Sequence, residues 1–410
     1  MAKKKRSGAR SLTRRRLLLG AGAVTLVAAG GLVWRAVDRG AFAEATGPAF
    51  SPWTLWNDPS VEGTPLALVA AGILASNPHN SQPWIFRVSD REIDVAADTS
   101  RNLASFDPYL REMHIGLGCA LENMLLAAPH NGFTARYEAR PGSLTEITTR
   151  ADPVTAFRLI LAPIDETPKD ALTQTLYAAI PHRHTNRASY DFDAGLPDET
   201  GTTLARLSTS QAVSVATVTA PASRADLSRL VVQATAAIIA DPDMTHDVHH
   251  WFRTTMGQVE TQRDGISLHT SGLPDWMVAA ARILPDVSVE SSNAGWLSST
   301  KTGLETSPML GLIGVQDRYD RPQTLEAGRT WQRIHLWAAA HGVAVQPINQ
   351  PPEWVDRERV LQRTASMADA LGSFLDGDKE ATFVFRAGRP TQAAHASARR
   401  PLSEVVTPLV

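Results

Sequence analysis

Apolar and polar positions fall into two rhythms along this chain. Leu66, Val69, Ala70, Ile73 and Leu74 recur at helical spacing, which predicts a helix over 64–76. Asn77-Pro78 stops it, because the residue before a proline is pushed out of the helical region. Short apolar runs at 84–88 and 93–97, separated by Ser89-Asp90-Arg91, predict two paired strands. A long apolar stripe over 109–130 closes on Asn131-Gly132, a helix-ending signal. Further strand-like runs lie at 157–161, 212–218, 309–315, 343–348 and 382–387. Helical patterns lie near 168–180, 198–208, 224–240, 243–256, 274–284, 323–341 and 354–375. Residues 50–64, rich in Pro, Trp and Asp, read as an extended lead-in. Strands and helices are interspersed without a strict βαβ alternation, so the expected class is α+β.

One pattern occurs twice. Gly118 and Gly328 each start a segment with apolar residues at offsets 3, 6, 8 and 10, namely Leu121, Met124, Leu126 and Ala128, and Trp331, Ile334, Leu336 and Ala338. Each segment reaches a second glycine, Gly132 or Gly342, after fourteen residues, and a strand-like run follows. A small residue near the start of a buried helix permits close contact, and a glycine at its end permits the left-handed turn. We read two related halves, 50–165 and 175–410, packed as a pseudo-dimer within one chain. Residues 264–306, with scattered Ser, Thr and Gly around a short apolar helix, are either a lid over a site or a surface insertion.

The N-terminus has a different character. Residues 3–16 are basic and contain no acid, Leu17 to Trp34 carry no charge, and Ala41-Phe42-Ala43 is a small-x-small site. That order is the signature of an export signal over 1–43, and Thr13-Arg14-Arg15-Arg16-Leu17-Leu18 resembles a twin-arginine signal read by the export machinery. The alternative is a membrane anchor through 17–34. Either places the body of the protein outside the cytoplasm.

Charge is informative once it is divided. The 410 residues sum to −2, but residues 1–43 carry ten cations and one anion, which leaves −11 on the remaining 367. An acidic body does not neutralise phosphates, so nucleic acid is not the expected partner. The single cysteine, Cys119, excludes a disulfide framework and sits among apolar neighbours as a core thiol. His246, His249 and His250 share a helix face, but Asp247 is the one carboxylate beside them, and a solvated face is the preferred reading over a metal site.

Four segments carry candidate chemistry. Ser76-Asn77-Pro78-His79-Asn80-Ser81-Gln82-Pro83-Trp84 is dense in amides, which donate and accept at the edge of a heterocycle; taken alone it is also a turn that ends a helix. In Arg183-His184-Thr185-Asn186-Arg187 alternation puts 183, 185 and 187 on one side of an extended segment, a phosphate clamp by charge and geometry or, more blandly, a solvated loop. Arg399-Arg400 adds two guanidiniums near the chain end. Ile348-Asn349-Gln350, held extended by Pro351-Pro352, offers main-chain groups to a flat ligand.

Together these motifs resemble the FMN-dependent nitroreductase family. Ser76–Trp84 is similar to its SxxxNxQPW signature, Arg183-x-Thr185-x-Arg187 to its R-x-S-x-R phosphate motif, and Arg399-Arg400-Pro401-Leu402-Ser403-Glu404-Val405-Val406 to its C-terminal R-K-P-x-x-E-V-V. The first half has the only N-x-Q-P-W and the other half the only arginine motif, an arrangement that most resembles the Acg-like tandem branch. The resemblance implies an α+β sandwich, a monomer that is its own pseudo-dimer, and one FMN per chain. It implies that Arg183, Thr185 and Arg187, closed by Arg399 or Arg400, hold the phosphate. Ser76, Asn77, Pro78, Asn80 and Gln82 would meet the ring or ribityl chain, and Ile348, Asn349 and Gln350 would lie near its reactive edge. The family commonly has a glutamate-glycine pair there; here the pair is Asn349-Gln350. Two functions follow from the resemblance: an NAD(P)H oxidoreductase that passes hydride through flavin to a small electron acceptor, or an FMN-sequestering protein with little turnover. The isoalloxazine performs the redox step, so no side chain is singled out as catalytic.

Overall fold

The computed structural model describes residues 32, 34–41, 43, 45–147, 152–164, 170–284 and 287–409. The basic stretch and almost all of the apolar run of the expected export signal lie outside these residues. Among the described residues no helix is long and apolar enough to cross a membrane.

Two five-stranded sheets organise the chain. In the first, β1 (Trp84–Val88), β2 (Glu92–Ala97), β4 (Val154–Pro163) and β3 (Phe133–Ala139) run antiparallel in that spatial order. In the second, β10 (Ala344–Pro347), β11 (Glu380–Pro390), β9 (Met309–Val315) and β6 (Ser214–Val218) pair antiparallel, and the short β5 (Tyr190–Asp191) joins β11. A small parallel pair, β7 (Phe252–Arg253) with β8 (Ile266–Ser267), stands apart. β9 is buried along its whole length, so it reads as an unbroken apolar run rather than an alternating one.

The chain end crosses between the sheets. β12 (Val406–Pro408) lies parallel to β1, with Phe86 opposite Val406. This return carries the 398–400 segment across the second half and onto the 76–84 loop of the first. The strand is absent from the apolar pattern because three residues carry too little periodicity to register.

The two helices of the repeat meet each other. The Arg111–Ala127 helix and the Arg321–Ala340 helix are buried on most of their surface, and each ends before a left-handed glycine, Gly132 at φ 79° and Gly342 at φ 65°. At their crossing the glycines face one another reciprocally. A Cβ on Gly118 would collide with the Leu325 carbonyl oxygen, and one on Gly328 with that of Ile115. Each added Cβ would also stand 3.0 Å from the opposing glycine's Cα. Leu325 and Ile115 each lie three residues before their own glycine, so the contact maps onto itself when the helices are exchanged. The charged contacts beside it do not. Glu122 of the first helix accepts from Arg329 (2.9 Å) and Arg333 (2.8 Å) of the second, while the position matching Glu122 in the second helix is Gln332 and that matching Arg329 in the first is Cys119.

Some boundaries differ from expectation. The expected 354–375 helix is two helices, Gln350–Val360 and Ser366–Gly372, broken where Gln362 takes a left-handed φ of 52°. The 243–256 helix stops at His249 and gives way to β7. The 264–306 segment holds, besides the expected short helix at Asp275–Ile283, another at Val289–Glu305 whose Ser- and Thr-rich surface disguised it.

Candidate active site

The loop after the first helix is built by its backbone. His79, Asn80 and Gln82 all adopt left-handed φ values, 48°, 55° and 52°. Such residues cost of order 1–3 kcal/mol each and persist where the surroundings over-determine them. Here the surroundings are specific. Asn77 Oδ1 accepts from the Gln82 backbone (2.8 Å). Gln82 Nε2 donates to Arg263 O (2.7 Å), and Gln82 Oε1 accepts from the Arg400 backbone (2.7 Å). Asn80 donates to Ala398 O (2.9 Å) and accepts from the Arg399 guanidinium. From the Arg321–Ala340 helix, Trp331 Nε1 donates to Ser76 Oγ (3.1 Å), and Gln332 Oε1 accepts from Ser76 N (3.1 Å). The loop is therefore clamped by three distant stretches of chain.

This clamping brings residues 76–80 to the 183–187 stretch. A narrow polar recess is lined by Ser76, Asn77, Asn80, Arg183, Thr185, Arg187 and Arg399, with Thr270, His395 and Ser397 completing it. It adjoins a cavity of about 460 Å³ that shares Ser76, Asn77, Thr185 and Arg187 with it. Pro78, Trp331, Gln346, Ile348, Asn349, Gln350 and Phe383 line the larger space, and Ile266, Leu273, Trp296 and Gly303 of the 264–306 segment form another wall. That segment thus borders the cavity. Of the thirteen candidate residues, eleven line one space or the other. Gln82 and Arg400 do not: Gln82 holds the loop from behind, and Arg400 pairs with Glu404 (3.5 Å) and Gln82.

The electrostatics of the recess are lopsided. Arg183 donates to Leu74 O (3.0 Å) and approaches His335 Nδ1 (3.3 Å), and Arg187 donates to Thr270 O (2.9 Å). Arg399 donates to Asn80 Oδ1, Ser397 Oγ (2.6 Å) and Ala398 O (3.0 Å), with its guanidinium 4.8 Å above the Trp53 ring. Among the described residues none of the three forms an ion pair with a carboxylate. Burial lowers Arg183 and Arg187 from 12.5 to about 10, and pushes Arg399 further down. The buried Nε atoms of Arg183 and Arg399 have no partner among the described residues. Burial first, and then the neighbouring guanidiniums, keep His335 neutral, as they do His184, which is lowered to about 3. A neutral His335 donates from Nε2 to His184 O (3.3 Å) and accepts from Arg183 at Nδ1. A fourth arginine, Arg386, lines the larger cavity, donates to Gln346 (2.6 Å) and Ala188 O (2.7 Å), and stacks 3.9 Å over Tyr190, again with no carboxylate partner among the described residues.

Buried cations without counter-ions are costly. The arrangement can therefore take up an anion in the recess and hold a flat, partly polar body in the cavity beside it. The pairing of recess and cavity fits a phosphorylated flavin. Guanidiniums with unused donors suit a phosphate, and the buried, unpartnered Gln350 Oε1 suits a ring N–H. Residue patterns gave no sign of Arg386, Trp331, Gln332, His335 or Thr270. Their roles come from non-local packing, and Trp331 to His335 read as core in an apolar helix.

No protein-family model matches the chain. Two Mycobacterium tuberculosis proteins (strains CDC 1551 / Oshkosh and ATCC 25618 / H37Rv), each provisionally named an NAD(P)H nitroreductase, are 28% identical to it over 123 residues. That stretch is 30% of this chain and 33% of each relative, so the match spans a third of their length. Among solved structures, an FMN-dependent nitroreductase from Mycobacterium smegmatis in complex with NADPH aligns at a TM-score of 0.36 and 16% identity, over 57% of this chain and 97% of its own. A BluB-like flavoprotein from Clostridium difficile 630 aligns at 0.36 and 13%, over 57% and 99%.

Proposed function

We propose that this chain is an FMN-binding oxidoreductase of the nitroreductase type, built as an intrachain pseudo-dimer of the Acg-like kind with one site. The observation that carries the reading is the trio of buried Arg183, half-buried Arg187 and buried Arg399, which line one recess with no carboxylate paired to them among the described residues, beside a cavity lined by residues of both halves. These guanidiniums and Thr185 would hold the phosphate; Ser76, Asn77, Pro78 and Asn80 would meet the ribityl chain or ring from one side, and Ile348, Asn349 and Gln350 from the other. The flavin, when bound, supplies two-electron redox chemistry between a dihydronicotinamide and an acceptor. The chain's own part is to orient and to exclude water. The Ser76–Gln82 loop is immobilised by its hydrogen bonds, and the 264–306 segment covers one side. Export, through the twin-arginine motif or with a retained anchor at 17–34, completes the proposal and rests on residues 1–43.

The test is the visible spectrum of the purified protein, followed by anaerobic addition of NADPH. A bound flavin that bleaches, and steady-state turnover with quinones or nitroarenes, supports the oxidoreductase. A bound flavin that neither bleaches nor turns over points to sequestration, which the Asn349-Gln350 pair in place of glutamate-glycine favours. A colourless preparation that does not take up FMN refutes both.

A further inference from the structure

The larger cavity has an acidic end that the flavin reading leaves unused. Glu112, in the first turn of the Arg111–Ala127 helix, and Glu353, in the first turn of the Gln350–Val360 helix, both line it, each only 5% exposed. They come from opposite halves of the chain, and neither lines the arginine recess. The Glu353 carboxyl makes no hydrogen bond or ion pair with any described residue, and Glu112 meets only Arg111 Nη2, at 3.4 Å.

Behind them the compensating charge is already committed. Asp356 accepts from Arg111 (2.7 Å), Arg318 (3.0 Å) and the Tyr319 hydroxyl (2.8 Å). Arg111 and Arg318 also donate to the carbonyls of Thr382, Ala381 and Pro352. Asp107 caps the Arg111–Ala127 helix, accepting from the Glu112 and Met113 backbones at 3.0 and 2.8 Å. Four buried carboxyls thus face two guanidiniums, and like charges in a dry site do not all ionise.

We propose that Glu353 is the acid that delivers a proton to the molecule reduced in this cavity, with Glu112 as the neighbour that holds the proton in reserve. The proposal rests on the oxidoreductase reading and adds the proton source that reading lacks. Glu353 stands at the right place: its backbone N–H donates to Asn349 O, which puts it one turn beyond the Ile348–Gln350 wall. Burial is the largest influence on both groups and raises both. Glu112 reaches about 7, while Glu353 lies well above the ordinary carboxylate range, raised further by the charges of Glu112, Asp107 and Asp356 against the opposing pull of Arg111.

The step balances with a quinone as acceptor and a dihydronicotinamide as the source of hydride. The hydride brings two electrons and one hydrogen to the first quinone oxygen. The Glu353 O–H bond breaks, and its proton forms the O–H bond at the other oxygen. The products are the oxidised nicotinamide, the hydroquinone and a Glu353 carboxylate, which regains its proton from Glu112 and then from water.

Two measurements test this. The infrared spectrum of the flavin-free protein at neutral pH should show the carbonyl stretch of neutral buried carboxyls, and Glu353→Gln should remove the larger part of it, leaving only what Glu112 contributes. This readout needs neither flavin nor turnover, so it separates failure of the proton assignment from failure of the flavin reading. In the flavin-loaded protein, Glu353→Gln should lower quinone reduction roughly 10²-fold or more yet leave ferricyanide reduction, which consumes electrons and no proton, near wild type. Glu112→Gln should weaken quinone reduction less. It serves as the alternative variant if Glu353→Gln does not fold, with the carboxyl band then moved rather than lost. Absence of a neutral carboxyl in the wild type, equal loss with both acceptors, or unchanged quinone reduction overturns the proposal.

Discussion

Replacing Arg183 with methionine should push binding and stability in opposite directions. In the ligand-free chain this guanidinium is buried and faces no carboxylate among the described residues, and burial lowers its pKa from 12.5 to about 10. Keeping it charged at neutral pH therefore costs roughly 3 kcal/mol relative to water. Its own hydrogen bonds offset part of that. The bond to Leu74 O at 3.0 Å returns about 1 kcal/mol and the longer approach to His335 less. Methionine keeps an apolar stem of similar length against Trp53, over which Arg183 sits at 5.8 Å. The ligand-free Arg183→Met protein should thus be as stable as wild type or about 1 kcal/mol more so, read as an equal or higher urea midpoint with an unchanged slope. Binding should move the other way. A charge-assisted bond to phosphate is worth about 1.5–3 kcal/mol, which is roughly a 10- to 150-fold rise in the FMN dissociation constant by fluorescence titration. A variant that binds FMN as tightly as wild type, or one that loses about 2 kcal/mol or more of ligand-free stability, would refute the claim that this charge is held for an anion.

Three further outcomes are expected. Riboflavin, which lacks the phosphate, should bind at least about 10²-fold more weakly than FMN in a direct titration, because the three recess guanidiniums then keep their burial cost. Gly118→Ala should cost about 1–3 kcal/mol or more in urea unfolding, since the added carbon meets a backbone carbonyl rather than a flexible side chain; Gly118→Ala with Gly328→Ala should cost less than the two singles together, because both act at one crossing. Glu112 has its folded-state pKa raised from 4.5 to about 7 by burial. The unfolded chain then holds fewer protons than the folded one between those values, so this group's contribution falls as pH rises from about 4.5 and is lost above about 7. Glu112→Gln should remove that decline. The half-buried His79, lowered to about 4 by desolvation and by Arg187, acts in the opposite sense over about pH 4 to 6.5. The informative quantity is therefore the difference between wild-type and variant urea midpoints across pH.

Much of this was legible in the residues alone. The glycine-spaced helices announced themselves because a buried helix needs an apolar stripe and a small residue wherever two backbones touch, and both are local properties. The arginines at 183 and 187 and the amide-rich loop stood out by their density of polar groups, although each taken alone also reads as a solvated loop or a turn that ends a helix. What stayed hidden was non-local. Gln82 reads as a ring contact, and its bracing bonds are hidden in the sequence, since only the folded chain brings Arg263 O and the Arg400 backbone to its amide. Arg386 sits in a strand that reads as core, and its distance from any carboxylate is invisible in one dimension. In sequence Glu353 is merely the residue after two prolines. Its isolation depends on Asp356 having taken both nearby guanidiniums.

The crossing of the two long helices bears on what this polypeptide will refuse to do. Glu122 finds Arg329 and Arg333 only because the opposing helix differs in sequence. If two copies of the Arg111–Ala127 helix lay against each other through Gly118, each Glu122 would be stranded next to a thiol; two copies of the Arg321–Ala340 helix would leave Arg329 and Arg333 facing a glutamine. Either mispairing strands charge in a dry seam, at a cost larger than most single contacts can repay. Each long helix is thus keyed to the other and not to a second copy of itself, so that pairing of like with like between two chains is discouraged from within.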